Sequence, residues 1–378
     1  MDQSSWLEPG AIGQVGRILD ELNVQSLLLV ADSDAYEQSG ARQRLKDALT
    51  PRHVICFTAF KTNPNLDDVQ RGLETVSDSN FDAVIAVGGG SAIDLAKLVG
   101  TLAVQGDAPR PIIEGSAPLR RDGAPLIAIP TTAGTGSEAT RGAVVYLDNK
   151  KHSLQHDYLL PDYAVVDPNL THSLPQGVTA ASGLDALAQA IESLWSVQST
   201  ESSQQYATQA LRLAASNLED AVRQPSPESR HAMCQAANLA GRAINISNTT
   251  ASHAISYALT SRYGVPHGCA VALTLGATLV FNRRVASDDC VDPRGCAHVH
   301  RMIDDIVQIL GCSSAEEAHG RITTLVRNVG CPTQLRQVGA ASQDDVAFLV
   351  NRVNTQRLAN NPRRLTAESL RLLLEPLQ

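Results

Sequence analysis

The sequence lacks a CxxC pair, an excess of basic residues, a GxGxxG fingerprint, an internal repeat and any apolar run of about 18 residues. Each absence excludes something. The seven cysteines, Cys56, Cys234, Cys269, Cys290, Cys296, Cys312 and Cys331, are odd in number and not closely paired. That argues against a disulfide framework and fits a reducing cytoplasm, the expected location. The opening MDQSSWLEPG is polar and has no h-region, so no signal peptide is expected. Without a long apolar run, no membrane-spanning helix is expected either. Lys and Arg number 31 against 39 Asp and Glu, a net charge of −8. A nucleic-acid binder wears a basic face, so nucleic acid is excluded as a partner. An anionic small substrate remains compatible, provided positive groups cluster locally.

What is present is an ordinary soluble enzyme composition, 43% hydrophobic and 19% charged, over 378 residues, enough for two domains. The first half alternates short Val/Ile/Leu-rich runs with helical patterns. Ser26–Val30, Val54–Phe57, Ala83–Val87, Leu126–Ile129 and Ala164–Val166 read as buried parallel strands. Gln14–Leu22 and Asp67–Val76 read as helices, and the alternation implies a wound α/β sheet. After Leu174 long Ala/Leu/Gln-rich stretches take over: 181–195, 202–222, 228–246, 298–310 and 314–329. The expected organisation is an α/β domain over 1–173 and a helical domain over 174–378.

Two small-residue turns follow predicted strands. Ala83–Val87 runs into Gly88-Gly89-Gly90-Ser91 and a helix containing Asp94. Leu126–Ile129 runs into PTTAGTGSE, which carries Thr131, Thr132 and Thr135. Glycines admit close backbone approach, and a helix N-terminus attracts anions. Two such turns at strand ends can line one crevice of a wound sheet. Alone, the GGG turn serves equally as a ligand-free connection. Asp32, after the first strand, is placed to bind ribose hydroxyls and repel a 2′-phosphate; its position alone fits a solvated loop aspartate as well.

Farther on, Asp185 and Gln189 lie four apart in GLDALAQAIES and share a helix face. His253 in ASHAISY and His267 in VPHG add two imidazoles. One carboxylate and two imidazoles suit Fe²⁺ or Zn²⁺ with a position left open, although a lone helical His more often packs as core.

Taken in order, GGGSAIDLAK, IPTTAGTGSE, LPDYAVVDPNLT, GLDALAQAIES and VPHG resemble the iron-containing (group III) alcohol dehydrogenases over nearly the whole chain. The resemblance implies a dinucleotide-binding wound sheet followed by a helical metal-binding domain, the dehydroquinate synthase-like architecture. It implies that Gly89, Gly90 and Ser91 hold a pyrophosphate, with Asp94 beside them. Thr131, Thr132 and Thr135 would line the nucleotide, and Lys151 would lie near the nicotinamide ribose. The implied metal ligands are Asp185, His253 and His267. Where the family has a fourth histidine, this chain has Gln189, a neutral and weaker oxygen donor. The implied cofactors are NAD, with NADH preferred over NADPH, and Fe²⁺ or Zn²⁺; the expected assembly is a homodimer.

A narrower likeness lies in Gln189 with the WSV that follows its helix, in KHSL at Lys151–Leu154, in TTASHAISYALTSR and in RLANNPR. These resemble phosphonoacetaldehyde reductases, which form 2-hydroxyethylphosphonate in phosphonate natural-product pathways. A phosphonate asks for Arg forks, and Arg141, Arg357 and Arg363 are the candidates. The implied chemistry is hydride transfer to the aldehyde carbon with the metal polarising the carbonyl oxygen. The proton comes from Tyr257, or through the ribose hydroxyls and Lys151; His267 is counted with the catalytic groups. The alternatives are a reductase for a neutral aldehyde, a dehydroquinate-synthase-like lyase, and a nucleotide-binding scaffold that has lost its metal.

Overall fold

The computed structural model describes residues 3–148, 150–353 and 355–377. The chain divides into two compact units, Met1–Leu174 and Pro175–Gln378.

In the first unit, runs of branched residues become the inner strands of a six-stranded parallel sheet. Its members are β1 (Ser4–Leu7), β2 (Ser26–Ala31), β3 (His53–Phe57), β4 (Ala83–Gly88), β5 (Leu126–Pro130) and β8 (Tyr163–Val166), ordered β1-β8-β5-β4-β2-β3. The two-residue period sorts each inner strand between two cores. Leu28, Val30, Val84, Ala86, Leu126 and Ala128 face one core. Leu27, Leu29, Ile85, Val87, Ile127 and Ile129 face the other. Strands buried on both faces have no polar alternation, which is why they read as continuous apolar runs. Helices α4 (Leu66–Val76), α5 (Gly90–Leu102) and α6 (Pro109–Ile113) cover the first face. Helices α1 (Gln14–Glu21) and α3 (Ala41–Leu49) cover the second, and α2 (Ser33–Gln38) follows β2 directly.

Two elements had no sequence signal. The polar Ser4–Leu7 segment pairs in register with β8, Ser4 beside Tyr163. A separate antiparallel hairpin joins β6 (Gly142–Leu147) to β7 (Lys150–Gln155), with Tyr146 opposite Lys151.

The second unit is helical: α7 (Gln176–Trp195), α8 (Glu201–Arg223), α9 (Pro227–Ser247), α10 (Ala251–Tyr263), α11 (His267–Arg283), α12 (Cys296–Ile309), α13 (Ala315–Asn328), α14 (Gln343–Asn351), α15 (Thr355–Leu358) and α16 (Ala367–Leu374). Its centre is α7, buried without a break from Gly183 to Trp195 and packed against α8, α9 and α11. Small residues permit this. A Cβ on Gly268, in the first turn of α11, would lie 1.8 Å from the Ala181 carbonyl oxygen and 2.8 Å from Asp185 N. Glycine there lets α11 press against the backbone of α7. Among the described residues no helix is long and apolar enough to cross a membrane.

Candidate functional site

In the first unit the carboxyl ends of β2, β4 and β5 bring three loops together. Asp32 closes β2; its backbone N–H donates to Val87 O (3.0 Å), which fixes it beside the glycine turn. Its carboxylate caps α2, accepting from Ala35 N at 2.9 Å. Gly89 is the N-cap of α5 and supplies no side-chain cap, so the first amides of a 13-residue helix point outward with the positive end of its dipole. A Cβ on Gly90 would stand 2.8 Å from Thr135 Cγ2, so the threonine loop lies directly against that helix end. Ser91 Oγ accepts from Asn63 N (3.0 Å). Thr131 is buried, and its Oγ1 meets no hydrogen-bond partner among the described residues. An uncapped helix end, a glycine–threonine cradle and a buried hydroxyl fit the phosphates and sugar of a dinucleotide.

Behind this cradle sits a lysine that the sequence reading passed over. Lys97 is fully buried, and its ammonium donates to the carbonyls of Ser137 (2.7 Å), Thr140 (2.8 Å) and Gly142 (2.7 Å). Burial pulls it down to about 8, against the opposing carboxylates of Asp94 and Glu138. Asp94, expected at the nucleotide, belongs to this anchor instead. Its Oδ1 accepts from Ser137 Oγ (2.5 Å) and its Oδ2 from Val144 N (2.9 Å), so both oxygens hold the threonine loop and β6 in place. Burial pushes its carboxyl above the ordinary range, with Lys97 pulling the other way.

The second unit gathers Asp185, His253 and His267, one donor atom from each lying within 4.8 Å of the others. Asp185 is on α7, His253 on α10 and His267 is the first residue of α11. Gln189, one turn along α7 from Asp185, is buried on the same helix. The His253 and His267 rings meet edge to face at 5.4 Å, and Tyr257 stacks on His267 at 6.2 Å. His253 Nε2 lies 3.2 Å from Asp185 Oδ1, and its Nδ1 bonds Glu192 Oε2. Burial would depress this imidazole, but the Glu192 and Asp185 carboxylates push it up to about 10. Two buried carboxylates around one imidazole form an anionic pocket that a divalent cation neutralises, and a mixed N/O donor set suits Fe²⁺ or Zn²⁺. The residues present therefore fit a metal.

The arginines behave differently from one another. Arg141, at the foot of β6, is exposed and pairs with Asp157 at 2.8 Å. Arg357 donates to Asn248 Oδ1 at 2.8 Å. Arg363, expected to hold substrate, is built into the scaffold: it donates to Asp289 (2.6 Å) and Phe281 O (2.8 Å), with its guanidinium 4.2 Å above the Phe281 ring. Lys151 is half-buried on β7. Besides Lys97, the sequence reading missed Glu192 and Gly268. Glu192 is three residues past Gln189 on the face already singled out, and Gly268 follows His267, so both were within reach of the same helix-face argument.

With this geometry in hand, the chain matches two family profiles end to end. The profile for iron-containing alcohol dehydrogenase covers residues 3–168, and that for the C-terminal part of the Fe-containing alcohol dehydrogenase family covers residues 179–377. It is 37% identical over 343 residues to a phosphonoacetaldehyde reductase of Streptomyces viridochromogenes, covering 88% of this chain and 85% of that one. It is 32% identical over 380 residues to long-chain-alcohol dehydrogenase 1 of Geobacillus thermodenitrificans, covering 97% and 93%. The crystal structure of sulfoacetaldehyde reductase from Bifidobacterium kashiwanohense, in complex with NAD⁺, superposes with a TM-score of 0.90 at 30% identity, covering 99% of this chain and 96% of that one. The chain belongs to the iron-containing alcohol dehydrogenase family and is an oxidoreductase of that family.

Proposed function

We propose that this oxidoreductase reduces a small aldehyde carrying an anionic head, phosphonoacetaldehyde above all, to the primary alcohol 2-hydroxyethylphosphonate, with NADH as the preferred donor. The observation that carries this reading is a convergence. One relative found by sequence and one found by structure are both named for acetaldehyde bearing an acidic group, a phosphonate and a sulfonate. Overall the reaction takes the aldehyde, NADH and one proton to the alcohol and NAD⁺.

The glycine turn, Ser91 and the threonine loop would bind the dinucleotide, which when bound supplies the hydride. Asp32, beside the glycine turn, would receive the ribose hydroxyls and repel a 2′-phosphate. Asp185, His253 and His267 would hold a divalent metal, with Gln189 a weak fourth donor; when bound it supplies Lewis acidity toward a carbonyl oxygen. Tyr257, stacked on His267, and Lys151 are the groups we assign to proton delivery. Arg141 would orient the anionic head.

The test is NADH oxidation with phosphonoacetaldehyde and with butyraldehyde, for the wild-type enzyme and for Arg141→Ala. A charge-assisted hydrogen bond contributes about 1.5–3 kcal/mol, so the substitution should lower kcat/KM for the phosphonate roughly 10- to 100-fold and spare butyraldehyde. A wild-type enzyme that does not discriminate between the two aldehydes is a neutral-aldehyde reductase, and the phosphonate assignment is then wrong.

A further inference from the structure

Helix α10 begins without a cap of its own. Its N-cap residue Thr250 makes no side-chain bond to the first turn. The cap comes from another helix. Glu192 of α7 is fully buried, and its Oε1 accepts from Ser252 N at 2.9 Å and, at 3.5 Å, from His253 N. The same oxygen accepts from the Thr250 hydroxyl at 2.6 Å. That hydroxyl is in turn oriented by Trp195, whose Nε1 donates to Thr250 Oγ1 at 2.9 Å, so its own proton is directed at Glu192. Oε1 is thus encircled by donors. The other oxygen, Oε2, has a different partner, His253 Nδ1.

We infer that Glu192 is a positioning residue for the metal centre: it holds one proton of His253 on Nδ1, so that Nε2 is the nitrogen that yields its proton and binds the cation. An ionised carboxylate can only accept, so the ring nitrogen facing it must donate. In the neutral ring that a metal binds, the two nitrogens have opposite roles, and fixing the proton on Nδ1 leaves Nε2 as the one that gives up its proton to the cation. Nε2 is the nitrogen that faces Asp185, the neighbouring ligand. One side chain therefore sets both the place of His253, by capping its helix, and the nitrogen it offers. Carboxylates behind metal-bound imidazoles commonly serve this purpose. The inference rests on reading Asp185, His253 and His267 as ligands.

The hydrogen-bond pattern supplies a sharp test, Glu192→Gln. The encircled position must remain an oxygen, because Ser252 N–H and the Thr250 hydroxyl both point at it. The amide nitrogen is then forced to face His253 Nδ1. It donates there, Nδ1 becomes an acceptor, and the proton moves to Nε2, where it blocks the metal. The substitution is isosteric and keeps the cap of α10, so the fold should survive.

Zn²⁺ alone, titrated in competition with a chromophoric chelator, should bind the wild-type chain at one site and the variant on the order of 100-fold more weakly. The metal-free variant should still unfold in one cooperative transition, at a melting temperature lowered by the loss of one of the two carboxylates beside His253. A variant that binds Zn²⁺ as tightly as wild type, whether or not its melting temperature falls, assigns Glu192 a structural role only and overturns the inference. A second measurement needs no variant. In the Zn²⁺-loaded wild type, ¹⁵N chemical shifts of the His253 ring should show the proton on Nδ1; a proton on Nε2 overturns the inference even if the variant fails to fold. A wild-type chain that binds no Zn²⁺ removes the ligand reading itself, and the role of Glu192 with it.

Discussion

At the scale of single residues, His253 carries the most informative charge. Between Glu192 and Asp185 it is pushed up to about 10 after burial has taken its toll, so the metal-free chain holds an imidazolium at neutral pH. A cation must displace that proton. Zn²⁺ affinity should therefore strengthen about tenfold per unit as pH rises from about 6.5 to about 8.5. Titrations across that range check it, and a pH-independent affinity would mean the ring is neutral in the free chain. The sign for folding is the opposite. The folded value lies above the unfolded one, so this group stabilises the metal-free fold fully below about pH 6.5 and loses that contribution as pH rises through about 10. None of this is visible in ASHAISY, where a histidine on a helix is as readily packing as ligand. The partners Asp185 and His253 are 68 positions apart, and only helix packing brings them together. Lys97 makes the same point in reverse. Nothing in GGGSAIDLAK marks it out, yet in mid-α5 it is buried and donates to three carbonyls.

At the scale of elements, the approach of α11 to α7 decides whether Asp185 and His267 meet. Gly268→Ala would set a methyl 1.8 Å from the Ala181 carbonyl oxygen, a backbone atom that cannot swing aside. Overpacking costs about 1–3 kcal/mol even where side chains can adjust, so the loss here should reach the upper end of that range or exceed it. At about 2–4 °C per kcal/mol for a unit of this size, the melting temperature should fall by at least roughly 5 °C, and Zn²⁺ affinity should fall as His267 moves with its helix. Calorimetry and a metal titration of the variant test this; a melting temperature within about 1 °C of wild type would show that α11 can shift without cost. Element legibility followed composition. Strands buried on both faces announce themselves as Val/Ile/Leu runs, and β2, β3, β4, β5 and β8 stand where those runs lie. β1 and the β6–β7 hairpin carry mixed, partly exposed residues, and their pairing comes from neighbours that no local pattern records.

At the scale of the whole molecule, the two sets of binding groups belong to different units. The glycine turn, the threonine loop and Asp32 lie in Met1–Leu174; Asp185, His253 and His267 lie in Pro175–Gln378. Each ligand stabilises what it touches, so hydrogen exchange should separate them. NADH should slow exchange around Gly88–Ala92 and Thr131–Ser137, and Zn²⁺ should slow it at the start of α10 and of α11. Protection by NADH confined to the helical unit would contradict the assignment of the cradle. The proposed metal site has one more consequence, for the length of this chain between its residues. Asp185, Gln189 and Glu192 occupy one face of α7 because their spacings of four and three follow the helical repeat. A single residue inserted or deleted between Asp185 and Glu192 turns one carboxylate about 100° away from the other and separates the two carboxylates that flank His253. Substitutions along that stretch leave this spacing intact, whereas any change in its length breaks it.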